Sequence, residues 1–219
     1  MRGAHNWLIH DVNDRFIEKT LPFLRGTVYD LGCGRAPYKG RILEVAERYI
    51  GVDWANSLHG TEAIDLYADL NETLPVSSSA ADSVVSFQVM EHLREPGQFL
   101  SECHRILRTG GHLVLSIPFL WPVHEGPVDY YRYTRFGLHH LLEKAGFEVI
   151  QLQELTGFWS TWLLHFNYHT MRFARGPLRP VFRMLWHGGQ VLGPVLDGLA
   201  PEESAPSSYG VIARKPVGS

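Results

Sequence analysis

Short apolar runs alternate with longer amphipathic stretches along most of the chain. The runs that predict strands cover residues 27–31, 49–52, 63–66, 83–87, 112–117, 147–155 and 209–214. The stretches whose apolar side chains recur at helical spacing cover residues 5–24, 38–48, 96–107 and 134–146. Strands that alternate with helices in this way predict an α/β fold built on a parallel sheet.

Residues 156–208 separate the last two predicted strands. A loop of that length without secondary structure is uncommon inside a compact domain. The apolar content of the segment instead predicts two helices, over about residues 159–174 and 178–192. We therefore expect one domain over residues 1–219, with a helical insertion at 156–208 before the last strand.

The most informative segment is residues 28–37, which read Val-Tyr-Asp-Leu-Gly-Cys-Gly-Arg-Ala-Pro. An apolar run ends at Asp30, and Gly32 and Gly34 follow. A glycine-rich turn at the carboxyl end of a parallel strand is where open α/β sheets bind ligands, and glycine lets the backbone approach them. A carboxylate at Asp30 would repel a pyrophosphate and attract a cationic ligand. S-adenosylmethionine carries both a sulfonium and an ammonium group.

Two further acids follow apolar runs at spacings that suit a nucleoside. Asp53 comes about twenty residues after Gly32, where an acid can accept hydrogen bonds from both ribose hydroxyls. Asp69, in the sequence Ala-Asp-Leu, can accept a hydrogen bond from an adenine amino group. The run at 83–87 then leads into Gln-Val-Met-Glu-His-Leu at 88–93, and residues 105–111 read Arg-Ile-Leu-Arg-Thr-Gly-Gly.

Together these segments resemble the class I S-adenosylmethionine-dependent methyltransferases, in the small-molecule branch with D-x-G-C-G, E-H-L and R-x-L-x-x-G-G signatures. The resemblance covers about residues 24–147, and it departs from the family where a third glycine is replaced by Ala36 or Pro37. It implies a Rossmann-like doubly wound sheet, mostly parallel with one antiparallel strand, and S-adenosylmethionine as cofactor. The implied cofactor contacts are Asp30, Gly32, Gly34, Asp53, Trp54, Asp69, Leu70 and Gln88.

Methyl transfer from a sulfonium is an in-line displacement that depends mainly on positioning. Residues 118–135 follow the fifth strand and form the predicted acceptor loop, with His124 as the first choice of general base and Asp129 as the second. Tyr130, Tyr131 and Arg132 are predicted to contact the acceptor. The alternative is a structural crossover in which Asp129 pairs with an arginine. The loop matches no strong metal signature, so no metal is predicted.

Charge and composition limit the classes of partner and the location that the sequence predicts. The net charge of −3 gives no electrostatic footprint for nucleic acid, and two distant cysteines suggest no disulfide framework. No signal peptide or long apolar span is apparent, so we expect a cytoplasmic protein. The aromatic and arginine side chains of residues 158–186 are typical of a packed helical cap or a homodimer contact. They also suit an element that lies on an anionic membrane.

The leading functional interpretation is methyl transfer to a small acceptor at oxygen: a sugar, a lipid-linked intermediate or a secondary metabolite. A nicotinamide oxidoreductase is one alternative, because both folds place an acid after the second strand. Asp30 and the missing third glycine argue against it. A nucleoside-binding regulatory domain without turnover is the other alternative, because the sequence does not identify a base.

Overall fold

The structure, a computed structural model, describes residues 3–56 and 60–218. The chain divides into two compact units. One unit takes in the residues up to Glu18 together with Phe119–Pro122 and Glu154–Tyr209. The other takes in Lys19–Pro118, Val123–Gln153 and the residues from Gly210 onward. The single domain over residues 1–219 therefore stays a prediction.

Seven strands form one sheet in the order β3-β2-β1-β4-β5-β7-β6. The strands are β1 (Thr27–Leu31), β2 (Arg48–Asp53), β3 (Leu66–Tyr67), β4 (Ala81–Phe87), β5 (Leu107–Pro118), β6 (Glu148–Glu154) and β7 (Ser208–Arg214). The helices are α1 (Trp7–Thr20), α2 (Lys39–Ile42), α3 (Pro96–Ile106), α4 (Arg135–Lys144), α5 (Phe158–Thr170) and α6 (Arg179–Leu199).

The sheet is parallel except at β7. Strand β1 pairs in parallel with β2 and β4, and β4 pairs in parallel with β5. Gly110 N–H donates to the carbonyl of Lys215 at 2.8 Å, and Phe119 N–H to that of Ser207 at 2.8 Å, so β7 runs antiparallel to β5. The predicted Rossmann-like, mostly parallel sheet with one antiparallel strand is confirmed. The strand order reverses between β1 and β4, where sheets of this kind open a crevice.

Several predicted elements differ in extent from those observed. The helix predicted over 38–48 is only α2, because the chain turns back and the N–H groups of Glu47 and Arg48 donate to the carbonyl of Gly26 at 2.9 and 3.1 Å. Strand β3 lies at 66–67 rather than 63–66. Strand β5 begins at Leu107 rather than at 112, because Leu107 already pairs with Ala81 before an irregularity in the register.

Residues 156–208 contain the two predicted helices, and α6 extends seven residues beyond the predicted end at 192, to Leu199. The buried amide of Gln190 ties α6 to the amino-terminal segment: it accepts from Leu8 N–H at 2.9 Å and donates to the carbonyl of Ala4 at 2.6 Å. Leu8 and Leu164 belong to the hydrophobic core of the unit that contains Glu154–Tyr209. Within the described residues, no helix has both the length and the hydropathy needed to cross a bilayer.

Candidate active site

The glycine turn follows β1 in left-handed backbone conformations. The φ angles are 80° at Gly32, 52° at Gly34 and 48° at Ala36. Ala36, one of the two residues at the place of the family's third glycine, thus adopts the same left-handed conformation, which costs a residue with a Cβ about 1–2 kcal/mol of conformational free energy. The N–H groups of Gly32 and Cys33 donate to the carbonyl of Val52 at 2.8 and 3.1 Å, which holds the turn against the end of β2.

Gly32 is required by its neighbour as well as by its φ angle. A Cβ atom at Gly32 would lie 2.4 Å from Cγ2 of Val89. From the sequence, Gly32 is expected where a ligand approaches the backbone. The structure gives a different physical reason, which is that the turn packs directly against Val89.

Asp53 braces the turn from the end of β2. Its Oδ2 accepts the N–H of Gly34 at 2.8 Å, and its Oδ1 accepts the N–H of Trp54 at 2.8 Å. A carboxylate oxygen accepts more than one hydrogen bond, so each oxygen retains capacity for a ligand hydroxyl. The side chain of Trp54 is exposed beside it. The predicted residues Gly34, Asp53 and Trp54 are therefore brought together.

Asp30 is buried next to this turn. The hydroxyl of Tyr49 donates to its Oδ2 at 2.5 Å. Burial raises the pKa of Asp30 to about 7, against the opposing effect of that hydrogen bond. A cationic group beside Asp30 would favour its ionised form.

Asp69 and Leu70 lie in the segment after β3. Ala68 N–H donates to the carbonyl of Asp53 at 3.0 Å, which fixes this segment at the end of β2. The exposed Asp69 accepts from the backbone N–H and the side-chain amide of Asn71, both at 2.9 Å, whereas Leu70 is buried. Asp69 is thus held in place by its own loop.

Gln88 leaves β4 in a left-handed conformation, with φ of 56°. Its N–H donates to the carbonyl of Ser116 at 2.8 Å, and its amide donates to the hydroxyl of Ser116 at 3.1 Å. A non-glycine residue held at positive φ is strained, and such strain clusters at functional sites. This observation supports the predicted role of Gln88.

Glu91 lies in the candidate site but is not among the site residues predicted from the sequence. Its side chain is 0% exposed, and among the described residues neither carboxylate oxygen has a hydrogen-bond partner. Burial raises the pKa of Glu91 to about 8. Glu91 lies in a single 3-10 turn, Met90–His92, directly after β4. The available signal was an adjacent acid and histidine directly after a buried strand.

The predicted acceptor loop brings His124 to Glu91. Nε2 of His124 lies 3.9 Å from Oε1 of Glu91, and the rings of His92 and His124 lie 5.0 Å apart in an edge arrangement. The backbone N–H groups of Tyr130 and Tyr131 donate to the carbonyl of Glu91 at 2.9 and 3.2 Å. Both tyrosine side chains are exposed. The loop residues from Val123 onward therefore gather around the segment after β4.

Asp129 has a structural partner. Its side chain is 1% exposed, and both oxygens accept from the guanidinium of Arg132, at 2.6 and 2.8 Å. The hydrogen bond from Arg132 lowers the pKa of Asp129 to about 2. A carboxylate in this pair is a weak proton acceptor, so the geometry disfavours Asp129 as the second choice of base. The same pair engages Arg132, which was predicted to contact the acceptor.

Comparisons with known proteins agree with this geometry. A family model described as a methyltransferase domain matches residues 29–115. A Mycolicibacterium smegmatis protein named "probable S-adenosylmethionine-dependent methyltransferase" is 35% identical over 133 residues, 56% of this chain and 52% of that protein. A ubiquinone biosynthesis O-methyltransferase of Cereibacter sphaeroides is 29% identical over 112 residues, 47% of this chain and 45% of that protein. The chain thus spans about half the length of these curated relatives.

The fold has solved counterparts. The structure of a SAM-dependent methyltransferase from Archaeoglobus fulgidus matches with a TM-score of 0.62 at 18% identity, and the match covers 94% of both chains. The family match over residues 29–115 and the relatives support the predicted class I S-adenosylmethionine-dependent methyltransferase with S-adenosylmethionine as cofactor, and the solved structure shares its fold.

Proposed function

We propose that this protein transfers a methyl group from S-adenosylmethionine to a hydroxyl of a small acceptor. The observation that carries the proposal is one constellation at the reversal of strand order. The braced glycine turn and Asp53 end β1 and β2, and the Glu91–His124 cluster follows β4. The relative named as an O-methyltransferase supports oxygen as the methylated atom. A sugar, a lipid-linked intermediate and a secondary metabolite are the proposed acceptor classes.

The proposed mechanism assigns binding to the turn and proton removal to the loop. Asp53 holds the ribose, Asp69 the adenine, and buried Asp30 faces the positive charge of the cofactor. A hydroxyl is a weak nucleophile until it loses its proton, and His124 is placed to accept that proton. The methyl then passes in line to the acceptor oxygen, and the sulfonium leaves as a neutral thioether.

Transfer of an isotope-labelled methyl group tests the function directly. The protein is incubated with labelled S-adenosylmethionine and a panel drawn from the three acceptor classes, and label in the acceptor is measured. Label that appears on a hydroxyl supports the proposal. Cofactor binding without transfer to any acceptor would instead favour the nucleoside-binding regulatory domain.

Asp53→Ala is expected to weaken S-adenosylmethionine binding by about 1.5–3 kcal/mol, the value of hydrogen bonds to a charged acceptor. The same change removes the acceptor for the N–H groups of Gly34 and Trp54, so it also loosens the turn. Calorimetric titration of both proteins with S-adenosylmethionine, S-adenosylhomocysteine and NAD measures the effect. Equal affinity in the two proteins would remove Asp53 from the site, and tight binding of NAD alone would support an oxidoreductase.

A second proposed contact is with a membrane surface. The turns between α5 and α6 and the start of α6, residues 171–185, form an arginine-rich tip. Its exposed arginines are Arg172, Arg175, Arg179 and Arg183, and its exposed apolar residues are Met171, Phe173, Leu178, Val181, Met184 and Leu185. Interleaved cationic and large apolar side chains suit the headgroup region of an anionic bilayer. We propose a cytoplasmic protein that contacts the membrane here and reaches lipid-linked acceptors.

Vesicles that contain anionic phospholipid are expected to sediment the protein, and binding should fall as salt rises. The double variant Arg179→Glu with Arg183→Glu should bind much more weakly, because each basic residue near the surface contributes about 1 kcal/mol. Arg48→Glu, at the exposed start of β2, is the control for a charge reversal away from the tip. Absent vesicle binding would argue for a packed cap if the protein sediments as a monomer, and for a subunit contact if it sediments as a dimer.

A further inference from the structure

Three potential metal ligands converge behind the acceptor loop. The carboxylate of Glu91 and one ring nitrogen each of His92 and His124 lie within 4.8 Å of one another. Nε2 of His92 is 3.7 Å from Oε1 of Glu91, and Nε2 of His124 is 3.9 Å from the same oxygen. Two imidazoles and one carboxylate are a donor set that proteins use for zinc and for related divalent ions.

The burial of Glu91 is an independent sign of a ligand. Within the described chain, its two oxygens accept no hydrogen bond although the side chain is wholly inaccessible to solvent. A buried carboxylate without hydrogen bonds is strongly unfavourable unless a positive charge compensates it. Arg132, in this loop, donates hydrogen bonds to both oxygens of Asp129 and acts on Glu91 through its charge. A buried carboxyl without a ligand is neutralised by protonation, and an ion between Glu91 and the histidines would instead stabilise its charged form.

The ring of His92 presents a lone pair toward this space. Its Nδ1 lies 2.7 Å from the carbonyl oxygen of Val128. A carbonyl only accepts, so Nδ1 donates to it, and in the neutral ring Nε2, the atom that faces Glu91, carries the lone pair. A histidine whose other nitrogen donates to a backbone carbonyl is the usual arrangement of a metal ligand. A lone pair directed at a carboxylate is repulsive until a cation lies between them.

The surroundings of His124 are compatible with the same role. Its Nδ1 lies 3.5 Å both from Oδ2 of Asp129 and from Nη2 of Arg132, an acceptor and a donor. Nε2 of His124 is the ring nitrogen that lies 3.9 Å from Oε1 of Glu91. The side chains of His92 and His124 are 16% and 31% exposed, so an ion can enter from the loop side.

We propose that Glu91, His92 and His124 bind a divalent transition-metal ion, with Zn²⁺ as the reference ion. Bonds of about 2.0–2.1 Å in a tetrahedral site place ligand atoms roughly 3.4 Å apart. The two histidines lie 3.7 and 3.9 Å from Glu91, and all three ligand atoms lie within 4.8 Å of one another, so side-chain shifts would have to close the site around an ion. Glu125, whose Oε2 lies 3.9 Å from Nε2 of His92, is placed to supply a fourth ligand or to give way to an acceptor oxygen.

The role of the ion rests on the proposed function, whereas its binding does not. A divalent ion beside the acceptor would polarise the hydroxyl as a Lewis acid and favour loss of its proton. In that arrangement His124 holds the ion, and the ion replaces the imidazole as the group that activates the acceptor.

Metal binding by the full chain tests the site without any methyl transfer. The protein is stripped with EDTA, dialysed, and titrated with Zn²⁺ by calorimetry and with Co²⁺ by its visible absorption. We expect one ion per chain and a Co²⁺ spectrum of a four-coordinate nitrogen and oxygen site. Glu91→Gln and His124→Ala should each weaken binding by about 100-fold or more, at least the 10–100-fold typical of changes to groups that only support the ligands.

His140→Ala, on the exposed face of α4, is the matched histidine control and should bind Zn²⁺ as the parent does. Circular dichroism and titration with S-adenosylmethionine verify that each variant folds. Glu91→Gln keeps the size of the side chain, and His124 lies at the accessible edge, so we expect both variants to fold. Absent stoichiometric binding, or binding that neither variant weakens, would overturn the site while leaving the proposed methyl transfer intact.

Discussion

Replacing Gly32 with valine is expected to lower the free energy of unfolding by about 2–5 kcal/mol and to abolish cofactor binding. A left-handed backbone costs a residue with a Cβ about 1–2 kcal/mol, and Gly32 has φ of 80°. Overpacking typically adds about 1–3 kcal/mol, and the new Cβ would lie 2.4 Å from Cγ2 of Val89. The displaced turn would carry the N–H of Gly34 away from Asp53. Urea denaturation and calorimetric titration measure the two effects.

Gly40→Val is the control, because a Cβ at Gly40 meets nothing within 4 Å. Gly32→Ala combined with Val89→Ala separates the two causes, since it removes the contact with Cγ2 and keeps the positive φ. We expect that pair of changes to recover part of the lost stability. If Gly32→Val were no less stable than Gly40→Val, neither the backbone conformation nor the contact with Val89 would constrain the turn.

The positions of Asp30 and Asp53, two of the proposed cofactor contacts, could be predicted because each follows a short apolar run. Parallel strands place their carboxyl ends at one edge of the sheet, so Asp30 and Asp53 must lie close together once the strands are recognised. The start of the helix predicted over 134–146 is set by an equally local contact, in which the hydroxyl of Thr134 accepts the N–H of Gly137 at 3.1 Å. Local patterns of this kind need no knowledge of distant contacts.

The acceptor side could not be predicted because its character depends on burial and pairing between distant segments. Glu91 loses all contact with solvent because residues 123–131, which are distant in sequence, cover it. Its sequence neighbours therefore give no sign of this burial. The spacing of Asp129 and Arg132 allowed a pair, but only the geometry shows a bidentate one. The contact of Gly32 with Val89 likewise joins the ends of two strands.

His124→Ala is expected to lower turnover by about 10²–10⁴-fold, the usual contribution of a general base. Affinity for S-adenosylmethionine should not change, because the proposed cofactor contacts lie in the segments after β1, β2, β3 and β4, whereas His124 lies in the acceptor loop that follows β5. The measurement is the initial rate with the acceptor found by the labelled-methyl screen, together with titration of the cofactor. His140→Ala, exposed on α4, should retain the parent rate.

The response of turnover to added imidazole, EDTA and Zn²⁺ distinguishes a general base from a metal ligand at His124. If the imidazole itself accepts the proton, added imidazole should restore part of the activity of His124→Ala, and EDTA should not affect the parent enzyme. If His124 holds an ion, EDTA should reduce the parent rate to the level of the variant, and Zn²⁺ should restore the parent but not the variant. Parent-like turnover in His124→Ala would contradict both, and would leave positioning of the acceptor as the source of catalysis.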